Sequence, residues 1–283
     1  MKIAVCMYGL TGEYTSINGD RRSINPRLSY ENYMDVLFKG LNSVDFFVHS
    51  WSVDKKDEIV DLYQPKRYLF EEQKDFSNFK ITDYSLEHIN TYKKLFTTES
   101  DVAGYLEKYI FNSHSRWYST CKSLQLMDEY SKECQIQYDW VLQLRFDLFF
   151  REPMPFLTLD RSKFYSCPRF QIDKDIAIND VWFLSNQKDA KKFSGFYSKI
   201  KDYSIWVHAA SKQHIDSEGI QHGEFPDRVF GKRNYWMIRE VLKSEEEEEV
   251  TFFYKIAIAI KFRVKSALNK IINLLTKVSD SIN

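Results

Sequence analysis

Short apolar runs alternate with helical patterns over the first part of the chain. Apolar and aromatic runs at 3–8 and 44–51 predict two buried strands, and residues 65–72 predict a third strand. Between them, residues 26–41 carry an apolar stripe at three-to-four spacing and predict a helix, and residues 54–63 predict a shorter, polar helix. Because strands and helices alternate, the pattern predicts a mostly parallel sheet with helices on both faces.

A second set of elements follows in the middle of the chain. Apolar residues at helical spacing predict a helix over 115–134, which leads into the long apolar run 138–150, the predicted central strand. Two further strands are predicted at 164–168 and 181–185, followed by a helix at 188–200. These elements extend the predicted α/β fold to about residue 200.

The central run places charges beside apolar residues. In a strand, Gln143, Arg145 and Asp147 share one face and the apolar residues take the other. Charged side chains are rarely buried without a partner or a ligand. Arg145 and Asp147 therefore form an ion pair or reach solvent where the strand ends, or they mark a ligand site. The second interpretation has a basis, because ligands of α/β sheets gather at the carboxyl ends of strands.

The first strand runs into a loop with three glycines, Gly9, Gly12 and Gly19, and two arginines. A buried strand followed by a glycine turn begins many nucleotide-binding α/β domains, since glycine lets the backbone approach a ligand closely. An ordinary strand-to-loop turn is the alternative. The spacing is not that of the dinucleotide GxGxxG motif, which argues against NAD.

Composition narrows the function classes. Lys plus Arg and Asp plus Glu are equal, at 40 each, so bulk charge gives no reason to expect nucleic-acid binding. The cysteines are scattered without a CxxC pair and are expected to be reduced core residues of a cytoplasmic protein. They are Cys6, Cys121, Cys134 and Cys167. No signal peptide and no membrane-spanning run is predicted.

Residues after 200 show a less regular pattern, with His208, His214 and His222 near several acids. Their spacing matches neither HExxH nor a structural zinc site, so a histidine metal site is not expected. His49, at the end of the second strand, could reach a ligand. A hydrogen-bonded core histidine is the more common outcome for such a position.

The C-terminal segment differs in kind from the rest. Five glutamates at 245–249 predict a solvated linker, and residues 253–278 predict a basic amphipathic helix. We therefore expect a domain over 1–244 and a separate segment over 245–283. Such a helix predicts attachment at the anionic, cytoplasmic face of a membrane. Docking on its own domain, or on a second copy in a homodimer, is the alternative.

Three of these stretches together resemble a known family. The strand ending Tyr8-Gly9, the run Phe46-Phe47-Val48-His49-Ser50-Trp51 and the strand carrying Arg145-Phe146-Asp147 look like those of bacterial and viral glycosyltransferases of the GT-A type. These enzymes build capsules, lipopolysaccharide O-antigens and related glycans. The resemblance covers roughly the first 200 residues, and it implies a GT-A-like, Rossmann-like domain that uses a nucleotide sugar.

The resemblance also implies roles for individual residues. Arg145-Phe146-Asp147 stands where the family has its Asp-x-Asp metal motif, so Asp147 would bind Mg²⁺ or Mn²⁺ and Arg145 would contact phosphate. One carboxylate in place of two makes metal dependence an open question. The sugar transfer that the resemblance implies requires the Asp147 carboxylate to be open to a ligand and to lie near the Gly9 turn. The nucleotide would lie against Gly9, Leu10, Arg21 and Arg22.

The implied reaction is transfer of a sugar from a nucleotide diphosphate sugar to a surface polysaccharide or a lipid-linked oligosaccharide. An inverting mechanism would need a general base, for which Asp180 and then Glu224 are the candidates, whereas a retaining one would not. For Asp180 the alternative is a turn-forming Asn-Asp pair. Two other functions stay open: transfer of another nucleotide-activated group such as a polyol phosphate, and a non-catalytic interaction module in polysaccharide assembly.

Overall fold

The structure is a computed structural model that describes residues 1–15, 21–41, 43–84, 102–167, 176–223, 225 and 235–237. The chain divides into two compact units, Met1–Trp236 and Met237–Asn283. The predicted boundary at residue 244, the acidic linker and the basic C-terminal helix all lie outside the described residues. They stay predictions.

Seven strands form the main sheet. The strands of the described residues are β1 (Ile3–Gly9), β2 (Gly12–Thr15), β3 (Arg21–Ile24), β4 (Val44–Ser50), β5 (Arg67–Phe70), β6 (Trp140–Arg145), β7 (Leu148–Phe150), β8 (Phe164–Ser166), β9 (Phe183–Ser185), β10 (His222–Gly223) and β11 (Tyr235–Met237). The order across the main sheet is β10-β8-β9-β6-β1-β4-β5. Strand β1 is parallel to both β4 and β6, and β9 is antiparallel to β6 and β8. The predicted mostly parallel α/β sheet is therefore confirmed.

Helices cover both faces of this sheet, as predicted. They are α1 (Pro26–Asn32), α2 (Lys56–Tyr63), α3 (Val102–Glu133), α4 (Gln187–Phe193) and α5 (Val207–Ser217). On one face, Phe46 of β4 contacts Phe38, just beyond α1, and Tyr63 at the end of α2. On the other face, Phe47 contacts Tyr130 of α3. No helix among the described residues is long and apolar enough to cross a bilayer.

The apolar stripe of α3 forms the centre of one core layer. Trp117, Cys121, Leu124 and Met127 are all buried, and they pack with residues of β1, β4 and β6. Small hydroxyl residues fill the remaining inward positions of this helix, where a serine such as Ser123 bonds a carbonyl of its own helix. The predicted helix over 115–134 is therefore part of a longer one.

Two sequence expectations about the elements are wrong. The predicted strand 138–150 is interrupted, because Phe146 and Asp147 form a turn after β6, and β7 leaves the main sheet to pair with β11. The stretch after residue 200 is less irregular than expected, since it contains α5. Apolar periodicity is weak there because the helix buries small and polar residues, among them Ala209, Ala210 and Ser211.

Candidate functional site

Three side chains stand side by side at the carboxyl ends of the central parallel strands. Tyr8 of β1 is in register with His49 of β4 on one side and with Arg145 of β6 on the other. Residues that are directly opposite in neighbouring strands project from the same face of a sheet. His49 contacts Ser119 of α3, so the whole row faces the long helix. This is the edge at which α/β sheets bind ligands.

Arg145 and Asp147 form a two-point ion pair. The Nε and Nη2 atoms of Arg145 donate to Oδ1 and Oδ2 of Asp147 at 2.8 and 2.7 Å. Only 5% of the Asp147 side chain is exposed, against 31% for Arg145. Burial lowers the pKa of the guanidinium, but Asp147, Tyr8 and Asp180 together raise it by more, so Arg145 stays charged. The two bonds leave Nη1 of Arg145 outside the pair.

This pairing bears directly on the predicted metal role of Asp147. Both carboxylate oxygens accept from Arg145, and the side chain is almost fully buried. Across the described ranges, no cluster of three or more histidine, cysteine, aspartate or glutamate residues could hold a metal ion. The donor set described around Asp147 therefore does not fit a divalent cation. The ion pair that the sequence left open is the arrangement found, and the condition of an accessible Asp147 carboxylate is not met. Any case for sugar transfer therefore depends on the arginines of the site.

Asp180 is the hub of a second, larger cluster. Arg116 of α3 donates to the Asp180 carboxylate and to its backbone carbonyl. Its Nη2 also donates to the Tyr8 hydroxyl at 3.2 Å, and that hydroxyl donates to the Val181 carbonyl at 3.3 Å. His208, in the first turn of α5, places Nδ1 3.0 Å from Oδ1 of Asp180. The cluster thus joins β1, α3, α5 and the segment that leads into β9.

The cations around Asp180 decide its ionisation. Burial raises the pKa of this carboxyl, but the guanidinium of Arg116, with further contributions from the His208 imidazole and from Arg145, outweighs burial and holds the pKa well below its ordinary value. A carboxylate stabilised in this way is a weak base, and a general base works best with a pKa near the working pH. The geometry therefore gives little support to Asp180 as the group that takes a proton from an acceptor.

The turn at Gly9 is held by a buried polar network. Its N–H donates to the Ser119 hydroxyl at 3.0 Å, and its carbonyl accepts from the Ser50 hydroxyl at 2.9 Å. Ser119 also lies 2.8 Å from Nδ1 of His49, whose Nε2 lies 3.0 Å from Glu71. Burial lowers the pKa of His49, so a neutral imidazole is favoured. His49 is thus the hydrogen-bonded core histidine that the sequence left as an alternative.

Replacing Gly9 by Ala is expected to cost stability without a steric clash. The φ angle of Gly9 is +105°, a region that residues with a Cβ rarely adopt, although no atom lies within 4 Å of the added carbon. Backbone strain of this kind costs about 1–3 kcal/mol. Urea denaturation of the Gly9→Ala protein measures it, and an unchanged midpoint would show that the turn relaxes freely.

The structure says less about the remaining predicted site residues. Leu10 follows the turn and is exposed. Arg21 and Arg22 begin β3, where their backbones pair with those of Thr15 and Tyr14. Glu224 lies outside the described residues. Phosphate contact by Arg21 or Arg22 and catalysis by Glu224 stay predictions.

Sequence reasoning missed Tyr8, Arg116 and His208, which complete the site. A weak signal existed for Arg116, because it precedes buried Trp117 on the predicted helix and lies three residues before Ser119, on the same side. His208 was considered only as a zinc ligand. Neither residue could be linked to Asp180 before the positions of α3 and α5 in the fold were known.

Comparisons with known proteins give only weak similarities. No protein-family model matches the chain, and no curated protein matches it in sequence. Among solved structures, a glycosyltransferase involved in glycosylation of the major capsid of PBCV-1 is similar at TM-score 0.34 and 10% identity, over 82% of this chain and 80% of that one. Mouse xyloside xylosyltransferase 1, in its apo form, is similar at TM-score 0.34 and 12% identity, over 78% and 77%. The function proposed below therefore depends on the residues of the site.

Proposed function

We propose that the protein is a glycosyltransferase that takes its sugar from a nucleotide diphosphate sugar. The observation that carries the proposal is the pair of guanidinium groups, Arg116 and Arg145, gathered around Tyr8 at the carboxyl ends of β1 and β6, directly beside the Gly9 turn. Cations at this edge of a parallel sheet suit a phosphate-bearing ligand. The Arg145-Phe146-Asp147 sequence, which resembles that of GT-A enzymes, narrows the phosphate ligand to a nucleotide sugar.

In this proposal the leaving diphosphate is stabilised mainly by arginine. Arg145 is the charged member of the row formed by Tyr8, His49 and Arg145, and its side chain is partly exposed. Its Nη1 takes no part in the pair with Asp147. A guanidinium can share the negative charge that develops on the leaving oxygen through charge-assisted hydrogen bonds. Asp147 then acts by fixing the orientation of Arg145. The proposal does not need a metal at Asp147, and use of Mg²⁺ or Mn²⁺ stays a prediction.

The acceptor is proposed to be a surface polysaccharide or a lipid-linked oligosaccharide. The basic amphipathic pattern of residues 253–278 supports the lipid-linked form, because such a helix binds anionic membrane surfaces. The protein would then work in the cytoplasm, at the inner face of the membrane. Vesicles with and without anionic lipid would test this, and absence of binding to either would favour docking on the protein itself.

Calorimetric titration with UDP, GDP and CDP, each with and without Mn²⁺, tests the donor class. Binding of one nucleoside diphosphate, followed by transfer or hydrolysis of a matching nucleotide sugar, is the expected result. Binding of CDP alone, with turnover of a CDP-activated polyol, would favour the polyol phosphate alternative. Binding of none of the three would leave the non-catalytic interaction module.

Replacing Arg145 by Lys is expected to weaken binding of the nucleoside diphosphate about 10- to 100-fold, because lysine keeps the charge but loses the planar fork. Arg161→Lys is the matched control. Arg161 bonds Asp139 just before β6, at the opposite edge of the sheet. Calorimetry on both variants measures the difference. Equal affinities would remove Arg145 from the phosphate site.

A further inference from the structure

Asp180 is poorly suited to act as the general base of the proposed transfer reaction, and a neighbouring side chain is better placed for that role. Both Asp180 oxygens are engaged, one by Arg116 and the other by His208, and the residue is only 3% exposed. His208 stands on the outer side of this arrangement, with 25% of its side chain exposed. Resting on the function proposed above, we infer that His208 is the general base that deprotonates the acceptor hydroxyl, with Asp180 as its orienting carboxylate.

Several contacts fix the imidazole in the required direction. Nδ1 is buried and lies 3.0 Å from Oδ1 of Asp180, close enough for an ion pair when the imidazole is protonated, although the angle is not that of a hydrogen bond. The His208 carbonyl accepts from the Ile178 N–H at 3.1 Å, which ties the first turn of α5 to the segment before Asp180. The Trp206 ring meets the imidazole edge to face at 5.5 Å. With Nδ1 turned toward Asp180, Nε2 is the nitrogen left to accept a proton.

Arg116 explains why Asp180 orients rather than reacts. Its guanidinium keeps the buried carboxylate ionised, so the negative charge is available to stabilise the imidazolium that forms during the reaction. A base held by a buried carboxylate is a recurring arrangement in hydroxyl activation. Arg116 and Asp180 are thus positioning residues, and His208 is the residue that touches the acceptor.

The chemical step balances without a further reactant. The acceptor oxygen bonds to the anomeric carbon of the sugar while its proton passes to Nε2 of His208. The bond between that carbon and the diphosphate oxygen breaks, and its electron pair leaves with the nucleoside diphosphate near Arg145. Attack of this kind on the face opposite the leaving group inverts the anomeric configuration, which is the case in which a base is needed.

His208→Gln and His208→Ala test the inference in the full-length protein. Turnover of the nucleotide sugar identified by the donor screen is expected to fall about 10²- to 10⁴-fold in both variants. Affinity for the nucleoside diphosphate should stay within about twofold, because His208 does not contact the donor. Added imidazole should restore part of the activity to His208→Ala. A residue that only stabilised the fold would not respond to imidazole.

Lys212→Gln is the control, since Lys212 lies one turn further along α5 and pairs with Asp216 of the same helix. Unchanged turnover in the His208 variants, or a retained anomeric configuration in the product, would overturn the role of His208 while leaving sugar transfer in place. Absence of nucleoside diphosphate binding by the native protein would instead overturn the proposed function itself. The two failures are therefore distinguishable.

Discussion

Replacing Arg116 by Met is expected to lower the free energy of unfolding by about 3–5 kcal/mol, the usual cost of removing one partner from a buried ion pair. Arg116 donates to the Asp180 carboxylate, to the Asp180 carbonyl and to the Tyr8 hydroxyl, so its loss leaves several buried polar groups without their donor. Methionine keeps most of the side-chain volume, which separates the charge effect from cavity formation. Urea denaturation at neutral pH measures the change.

Two further variants make this expectation specific. Arg161→Met removes an exposed ion pair with Asp139 and should cost less than about 1 kcal/mol. Adding Asp180→Asn to Arg116→Met removes the stranded charge, so the double variant should lose less than the sum of its single changes. A loss in Arg116→Met no larger than in the Arg161 control would show that Asp180 does not depend on Arg116.

The parallel part of the fold was predictable because its strands are hydrophobic on both faces. Strand β1 is a continuous apolar run and β4 has an apolar centre at Phe46-Phe47-Val48, which is the pattern of strands covered by helices on two sides. The break in the central run was not predictable in the same way. Phe146 and Leu148 are as buried as the strand residues before them, so hydrophobicity continues through the turn at Phe146 and Asp147. The break is seen only in the strand pairing, because β6 lies in the main sheet whereas β7 pairs with β11.

The candidate site was predictable in part. Arg145 and Gly9 were found because each follows a strong strand signal, and parallel strands bring their carboxyl ends together. The assignment of Asp147 to a metal came from resemblance and stays a prediction, and in the structure both of its carboxylate oxygens accept from Arg145. The pairing of His208 with Asp180 was missed because the role of a histidine depends on the residues that the fold brings next to it. Its partner Asp180 is 28 positions away in the sequence.

Acidification from pH 7 to pH 4 is expected to destabilise the protein through two buried histidines. His114 lies against the Phe79 ring at 3.7 Å and bonds the Tyr84 hydroxyl, and His214 bonds the Tyr203 hydroxyl. Burial lowers the pKa of each to about 4, from an ordinary value of 6.5. The unfolded chain therefore takes up protons below pH 6.5 that the folded chain refuses until about pH 4.

The sign and size of the effect follow from that difference. Stability is complete above the ordinary histidine pKa and is lost as the pH falls toward 4, by roughly 1.4 kcal/mol per pKa unit, or on the order of 2–3 kcal/mol for each histidine. Carboxylates with lowered pKa values, such as Asp180, lose their contribution only below about pH 4. The window between about pH 6.5 and 4.5 thus isolates the histidines.

Urea denaturation across this window, with the native protein and with His114→Gln and His214→Gln, provides the measurement. Each variant should be less stable at pH 7 but should lose less on acidification, because glutamine does not titrate. His49 is also buried with a lowered pKa, so some pH dependence should persist when both histidines are replaced. A double variant with the same loss between pH 6.5 and 4.5 as the native protein would mean that neither imidazole is held neutral by burial, and that water reaches both rings.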